Sequence, residues 1–142
     1  MRTITVSHNF ETAHRLPHLP GKCESLHGHS WWVDVTVGAM NTDDQGLIVE
    51  FGPYKKLLRG WIDEHLDHGT MLGPDDPLVP LLRGHGCRVH EVPGYPTVEN
   101  VALMLADVAE MFLVSTPHAP YAQVLRVTVR ETHVNTAAWE RP

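Results

Sequence analysis

The sequence contains three histidines whose spacing could bind one metal ion. His27 and His29 flank Gly28 at the start of an alternating stretch, and residues i and i+2 of an extended chain point to the same side. His14 ends an earlier alternating stretch, so antiparallel pairing of the two stretches would bring it beside the pair. Three histidines with an open fourth position are typical of catalytic zinc, whereas structural zinc has four protein ligands. The alternative is surface histidines without a metal.

Cys23 lies four residues before His27, close enough for the intervening loop to fold its sulfur over this site. A thiol beside a cation or imidazolium has a lowered pKa and can act as a base or nucleophile. Two alternatives remain: a small buried side chain, or a fourth zinc ligand that would close the site. We expect no disulfide with Cys87, because isolated thiols in a reducing compartment stay unpaired.

Asp67 and His68 are adjacent near the predicted end of a helix, and a carboxylate that orients an imidazole suits a proton relay. The alternative is charge complementarity at a helix C-terminus. His65 lies on the apolar stripe of the same helix and is expected in the core. The remaining histidines show no paired spacing and are expected at the surface or in loops: His8, His18, His85, His90, His118 and His133.

Glu131 ends the last long alternating strand on the side that carries Leu125, Val127 and Val129. A carboxylate there could accept paired hydrogen bonds from the N–H donors of a ligand such as an aminopyrimidine. The alternative is a frayed strand end that turns to solvent.

Periodicity predicts four strands and two helices that position these residues. The predicted strands cover Arg2 to Phe10, His27 to Ala39, Val124 to Glu131 and Asn135 to Glu140, and the predicted helices cover Pro53 to Leu66 and Val98 to Ser115, the second with Thr97 as N-cap. Proline and glycine dominate the connection from Gly73 to Pro96, with a short helix near Leu78 and a short strand near Arg88. The ββααββ order favours an α+β domain, a four-stranded antiparallel sheet with two helices on one face. Its open edges favour a closed homo-oligomer.

Length and charge limit the classes of function. The 142 residues fit one domain spanning 1–142. A net charge of -6 with no clustered basic face argues against nucleic acid and favours a small-molecule partner. No run of about 18 apolar residues predicts a membrane span, and the first ten residues do not resemble a signal peptide, so we expect a cytoplasmic protein.

Five ordered motifs resemble the 6-pyruvoyl and 6-carboxytetrahydropterin synthase family. The motifs are Phe10–Pro17, Cys23–Ser30, Leu66–His68, Pro96–Asn100 and Val129–Thr132. The resemblance implies the tunnelling fold (T-fold), in which each subunit contributes a four-stranded antiparallel sheet and two helices. Such subunits close into a barrel, commonly as trimers stacked into hexamers.

The resemblance also implies a reaction and a set of site residues. The resemblance implies that zinc is bound by His14, His27 and His29. It implies Cys23 as the general base, Asp67 and His68 as its relay, and Glu131 as the pterin anchor that is also part of the relay. Thr97 and Glu99 would line the substrate pocket across a subunit boundary. The implied reaction converts 7,8-dihydroneopterin triphosphate to 6-carboxy-5,6,7,8-tetrahydropterin and releases acetaldehyde and triphosphate. The Cys23 to His27 spacing resembles the carboxy-forming bacterial branch, which favours queuosine or other 7-deazapurine biosynthesis.

Several alternatives remain open. The same site could form 6-pyruvoyltetrahydropterin or cleave sepiapterin-like side chains, or the chain could be a non-catalytic zinc- or pterin-binding module. A hydrolase is disfavoured because His-Glu-x-x-His and Gly-x-Ser-x-Gly motifs are absent. The departures from the family pattern are Gly69–Leu72, the long 73–95 connection and the Trp31–Trp32 pair. The candidate triphosphate-binding cations are Arg15, Lys22, Lys55 and Lys56.

Overall fold

A computed structural model describes all residues from Met1 to Pro142. It contains one mixed sheet of six strands, in the order β4-β3-β1-β2-β5-β6, and three helices. The strands are β1 (Arg2–His14), β2 (His27–Ala39), β3 (Gly69–Leu72), β4 (Val89–Glu91), β5 (Gln123–Arg130) and β6 (Thr136–Glu140), and the helices are α1 (Phe51–His65), α2 (Leu78–Gly84) and α3 (Val98–Val114). The predicted α+β class is confirmed.

The long hairpin of β1 and β2 forms the centre of the sheet. The two strands pair antiparallel from Arg2 opposite Ala39 to His14 opposite His27, as the alternation predicts. β1 extends four residues beyond its predicted end at Phe10, because Thr12 and His14 continue the buried face with polar side chains. This extension places His14 inside the sheet instead of in a loop.

The predicted sheet of four antiparallel strands in ββααββ order is wrong in strand number. The sheet has six strands, and two of its pairings are parallel. β3 pairs parallel with the end of β1, with Thr12 opposite Gly69 and His14 opposite Met71, and β4 pairs parallel with β3. The four residues of β3 are too few for a periodic pattern, and this strand was not predicted. The predicted short helix and short strand of the 73–96 connection are confirmed as α2 and β4.

Helices α1 and α3 pack on one face of the sheet. α1 buries Tyr54, Leu58 and Ile62, and the Tyr54 hydroxyl donates a hydrogen bond to the carbonyl of Ala109 in α3 at 2.8 Å. Burial raises the pKa of this phenol. The predicted N-cap of α3 is confirmed, because the Thr97 hydroxyl accepts a hydrogen bond from Asn100 N at 3.2 Å.

A bulge in β5 changes the predicted face of one residue. Thr36 pairs with Arg126 and Val37 pairs with Val124, which leaves Leu125 as the extra residue. Val124 is therefore fully buried in place of the predicted Leu125. Beyond the bulge the predicted alternation holds toward Glu131.

The second face of the central β1–β2 hairpin is largely exposed. Its residues include Trp32, which is 46% exposed, whereas its neighbour Trp31 is fully buried in the core. Strands β4 and β6 form the two edges and have no outer partner. No helix in the structure combines the length and apolar character needed to cross a membrane.

Candidate metal centre and active site

The three predicted histidines meet where β1 ends and β2 begins. His14 and His27 are register partners, and His29 lies two residues further along β2 on the same side. One ring nitrogen from each histidine lies within 4.8 Å of the others. The antiparallel pairing predicted from sequence thus assembles the cluster.

Backbone carbonyls orient two of the rings. His14 Nδ1 lies 2.8 Å from the carbonyl oxygen of Pro96, and His27 Nδ1 lies 2.6 Å from that of Ser25. A carbonyl can only accept, so Nδ1 of each ring carries a hydrogen and Nε2 is the nitrogen that can offer a lone pair. This is the outer-shell arrangement usual for metal-binding histidines.

Two buried ring nitrogens in the cluster have no hydrogen-bond partner, His14 Nε2 and His29 Nε2. Glu131 Oε1 lies 3.0 Å and 3.4 Å from them, but neither contact has hydrogen-bond alignment. Burial lowers the pKa of both histidines and outweighs the opposing charge of Glu131. Because buried polar atoms nearly always have a partner, neutral nitrogens left in this way fit a bound cation.

Trp31 forms the floor of the cluster. Its ring centroid lies 4.9 Å from that of His14 and 5.7 Å from that of His29, both edge-to-face, and its indole N–H donates to the carbonyl of Thr12 at 3.1 Å. The alternation of this strand predicts Trp31 on its apolar face, but the contact of Trp31 with the histidines was not predicted. Strand alternation from His27 and His29 would have placed Trp31 on their side.

Glu131 follows β5 and lies against the histidines, with a side chain only 14% exposed. It also lines an open cleft of about 350 Å³ with Glu99 and Asn135. The structure therefore brings the predicted pocket residues Glu99 and Glu131 to one cleft. The Thr97 hydroxyl is occupied at the N-cap of α3.

Asp67 and His68 form a pair beside β1. Asp67 Oδ2 lies 2.7 Å from His68 Nδ1, and Asp67 Oδ1 accepts a hydrogen bond from the backbone N–H of Glu11 at 2.8 Å. The Glu11 N–H is the larger cause, and His68 the smaller, of the lowered pKa of Asp67. Neither Asp67 nor His68 belongs to the histidine cluster, so within one chain the structure does not bring the pair and the cluster to one site.

Cys23 lies in a 3-10 turn, Lys22–Glu24, and is exposed. Its carbonyl accepts a hydrogen bond from Leu16 N at 2.7 Å, which closes the loop between β1 and β2. Its sulfur is not part of the histidine cluster, so the structure does not favour a fourth protein ligand. Cys87 is also a free, exposed thiol.

The predicted core residue on α1, His65, is half-buried and stacks on Trp61 with 4.5 Å between ring centroids. Among the candidate triphosphate cations, Arg15 is already engaged by Asp76. Lys22 and Lys56 are exposed, and Lys55 is half-buried.

Comparison with known proteins gives consistent matches. The family model described as 6-pyruvoyl tetrahydropterin synthase matches residues 3–142. The chain is 39% identical over 100 residues to 6-carboxy-5,6,7,8-tetrahydropterin synthase of Rickettsia bellii, covering 69% of this chain and 72% of the relative.

Solved structures share the fold at lower identity. An uncharacterized protein from Wolinella succinogenes superposes with a TM-score of 0.81 at 20% identity, over 99% of this chain and 98% of that one. The 6-pyruvoyl tetrahydropterin synthase of Caenorhabditis elegans superposes with a TM-score of 0.69 at 22% identity, over 99% and 96% of the two chains. These similarities identify the architecture as that of the tunnelling fold.

Proposed function

The chain belongs to the 6-pyruvoyl tetrahydropterin synthase family of pterin synthases, and we propose that it is a zinc-dependent 6-carboxytetrahydropterin synthase. The proposed reaction converts 7,8-dihydroneopterin triphosphate to 6-carboxy-5,6,7,8-tetrahydropterin with release of acetaldehyde and triphosphate. The observation that carries the proposal is the cluster of His14, His27 and His29, with two buried nitrogens lacking partners. The named activity of the Rickettsia relative supports the carboxy product.

We assign His14, His27 and His29 as the metal ligands and zinc as the metal. A donor set of three neutral imidazoles with room for a further ligand suits catalytic zinc. Zinc held there supplies Lewis acidity toward the oxygen atoms of a substrate side chain. Trp31 beneath the rings and the carbonyls of Pro96 and Ser25 behind them hold the nitrogens in place.

Cys23 is the proposed base. Its thiolate would remove and return protons at substrate carbon and oxygen, a role that needs an accessible thiol outside the ligand set. The exposure of Cys23 and its absence from the histidine cluster agree with that role. The Cys23 to His27 spacing favours the carboxy-forming branch and, with it, queuosine or other 7-deazapurine biosynthesis.

Glu131 is the proposed anchor of the pterin ring. A carboxylate can accept two parallel hydrogen bonds from the N–H donors of an aminopyrimidine. Glu131 lies at a cleft lined by Glu99, next to two of the proposed ligands. The ring would therefore be held with its side chain toward the histidines, and Thr97 and Glu99 would border it.

Asp67 and His68 are the proposed relay to Cys23, and we propose that they act between subunits of a homo-oligomer, a trimer or hexamer. The pair is held against the backbone of β1 at Glu11 and is not part of the histidine cluster of its own chain. The exposed face of the β1–β2 hairpin, with Trp32, and the unpaired edges β4 and β6 offer surfaces for such an assembly.

Product analysis tests this function. The purified, zinc-loaded protein is incubated with 7,8-dihydroneopterin triphosphate, and products are identified by mass spectrometry. We expect 6-carboxytetrahydropterin together with acetaldehyde in equal amounts. A 6-pyruvoyl product without acetaldehyde would instead assign the chain to 6-pyruvoyltetrahydropterin synthesis. Full zinc occupancy without turnover would support a non-catalytic binding module.

A further inference from the structure

The connection between β3 and α3, residues 73–97, makes a buried ion pair with the segment that follows β1. Arg15 Nε and Nη2 donate to Asp76 Oδ2 and Oδ1 at 2.7 Å and 2.5 Å. The Asp76 side chain is 2% exposed and that of Arg15 is 21% exposed. The guanidinium lowers the pKa of this carboxyl. Such a two-point contact fixes orientation as well as charge.

Asp76 is itself held firmly within the connection. Its Oδ1 accepts a hydrogen bond from Leu78 N at 2.9 Å, and its backbone N–H donates to the Gly73 carbonyl at 3.1 Å. Gly73 packs so closely on the neighbouring turn that a Cβ there would lie 2.7 Å from the Gly94 carbonyl oxygen. These contacts fix the position of the Asp76 carboxylate within the connection.

In the chain, Arg15 lies between His14, a proposed metal ligand, and Leu16. The backbone N–H of Leu16 donates to the Cys23 carbonyl at 2.7 Å and so closes the cysteine loop. The 73–97 connection makes two more contacts with this region. Pro96 O accepts from His14 Nδ1, and the Tyr95 ring stacks on His18 with 3.5 Å between centroids.

We propose that the Arg15–Asp76 ion pair is a positioning pair, which holds the Cys23 loop at a fixed position relative to the metal-binding histidines. The inference rests on the proposed function, because it concerns the geometry of the proposed base relative to the ligands. It also reassigns Arg15, since two of its donors are committed to Asp76 and are not free for a triphosphate. On this proposal, the 73–97 connection helps to fix the position of the Cys23 loop at the site.

The test compares Asp76→Asn with Glu91→Gln in the zinc-loaded protein. Asparagine keeps the oxygen that accepts from Leu78 N but removes the charge and one acceptor for Arg15. Glu91 is the matched control, since it pairs with Arg83 at 3.0 Å in the same connection. Its side chain is 38% exposed, against 2% for Asp76, and pairs open to solvent contribute little. Measured quantities are kcat, KM, zinc per chain, and the rate of iodoacetamide labelling of Cys23 relative to Cys87.

For Asp76→Asn we expect kcat to fall by about tenfold to a hundredfold, since displacement of a reacting group by 1 Å costs about that much. Zinc content stays at the wild-type level, KM changes little, and the Cys23 to Cys87 labelling ratio shifts. Glu91→Gln matches the wild type in every measurement. Arg15→Lys, which keeps the charge but loses the planar fork, shows the same loss of kcat with zinc retained.

A folded Asp76→Asn protein with wild-type kcat and labelling ratio would overturn the inference. A loss of kcat that only tracks a loss of zinc would also overturn it. If Asp76→Asn does not fold, Arg15→Lys decides by the same criteria. If the wild type does not turn over the substrate, the proposed function fails, and the labelling ratio, which needs no turnover, still decides on the pair.

Discussion

The orientation of single histidine rings determines what the candidate site can bind. Carbonyl contacts at Nδ1 leave Nε2 of His14 and His27 directed away from the backbone, and burial lowers the pKa of His14. The Glu131 carboxylate lies beside the His14 and His29 rings without a proper hydrogen bond. A positive ion between the nitrogens and this carboxylate would satisfy all of these groups.

Removal of one proposed ligand tests the cluster. His27→Ala should weaken zinc binding by more than about a hundredfold, because even residues outside the ligand set contribute about 10–100-fold. His118→Ala is the matched control, since its Nδ1 also bonds a carbonyl two residues earlier, that of Thr116. Zinc per chain after dialysis against a metal buffer is the measurement. Equal zinc in both variants would argue against His27 as a ligand.

The Asp76 carboxyl gives a pH-dependent prediction. Arg15 lowers its pKa in the folded state below the ordinary 3.8, so its stabilisation is present above that value and is lost as pH falls through the folded pKa. The urea midpoint of wild type should exceed that of Asp76→Asn by a constant amount from pH 7 to pH 5, and the gap should shrink below about pH 4. A gap that persists undiminished at pH 3 would exclude the carboxylate charge as its source.

The sequence predicts the positions of some site residues but not of others. The His27 and His29 pair follows from extended geometry, and His14 follows from strand pairing. The contact of Glu131 with the histidines was missed, because it depends on how β5 aligns with β2 across a bulge. The burial of Arg15 against Asp76 joins residues 61 positions apart, and no local pattern reports such a contact.

Strands and helices were predictable in proportion to their length. β1, β2, β5, α1 and α3 repeat their patterns over 8 to 17 residues, which is enough for periodicity to show. β3 contains four residues and β4 three. Each is defined more by its parallel pairing, β3 with β1 and β4 with β3, than by its own composition. The bulge at Leu125 is a property of the pairing and has no signature in the apolar alternation.

A glycine substitution tests the packing of the 73–97 connection. Gly73→Ala should lower stability by about 1–3 kcal/mol, the usual cost of overpacking, because its Cβ would meet the Gly94 carbonyl. Gly60→Ala is the control within α1, where a Cβ meets open space, and it should raise stability by about 0.5–1 kcal/mol. Thermal unfolding at one protein concentration measures both. A neutral Gly73→Ala would show that the two turns separate readily.

The assembled protein is expected to be larger than one chain. The second face of the β1–β2 hairpin is largely exposed and includes Trp32, and both sheet edges lack partners. Light scattering during size-exclusion chromatography should give three or six times the 15.9 kDa chain mass. A monomer with full turnover would contradict the proposed action of Asp67 and His68 between subunits.

The most direct test of the proposed function compares Cys23→Ser with Cys87→Ser during turnover of 7,8-dihydroneopterin triphosphate. Both residues are exposed free thiols, so the two substitutions make the same chemical change at and away from the proposed site. Acetaldehyde and pterin products are followed by mass spectrometry at equal zinc content. We predict that Cys87→Ser forms 6-carboxytetrahydropterin at the wild-type rate and that Cys23→Ser loses at least about 100-fold in kcat, in line with loss of a proton-transfer group. Equal rates in the two variants would contradict the assignment of Cys23 as the base.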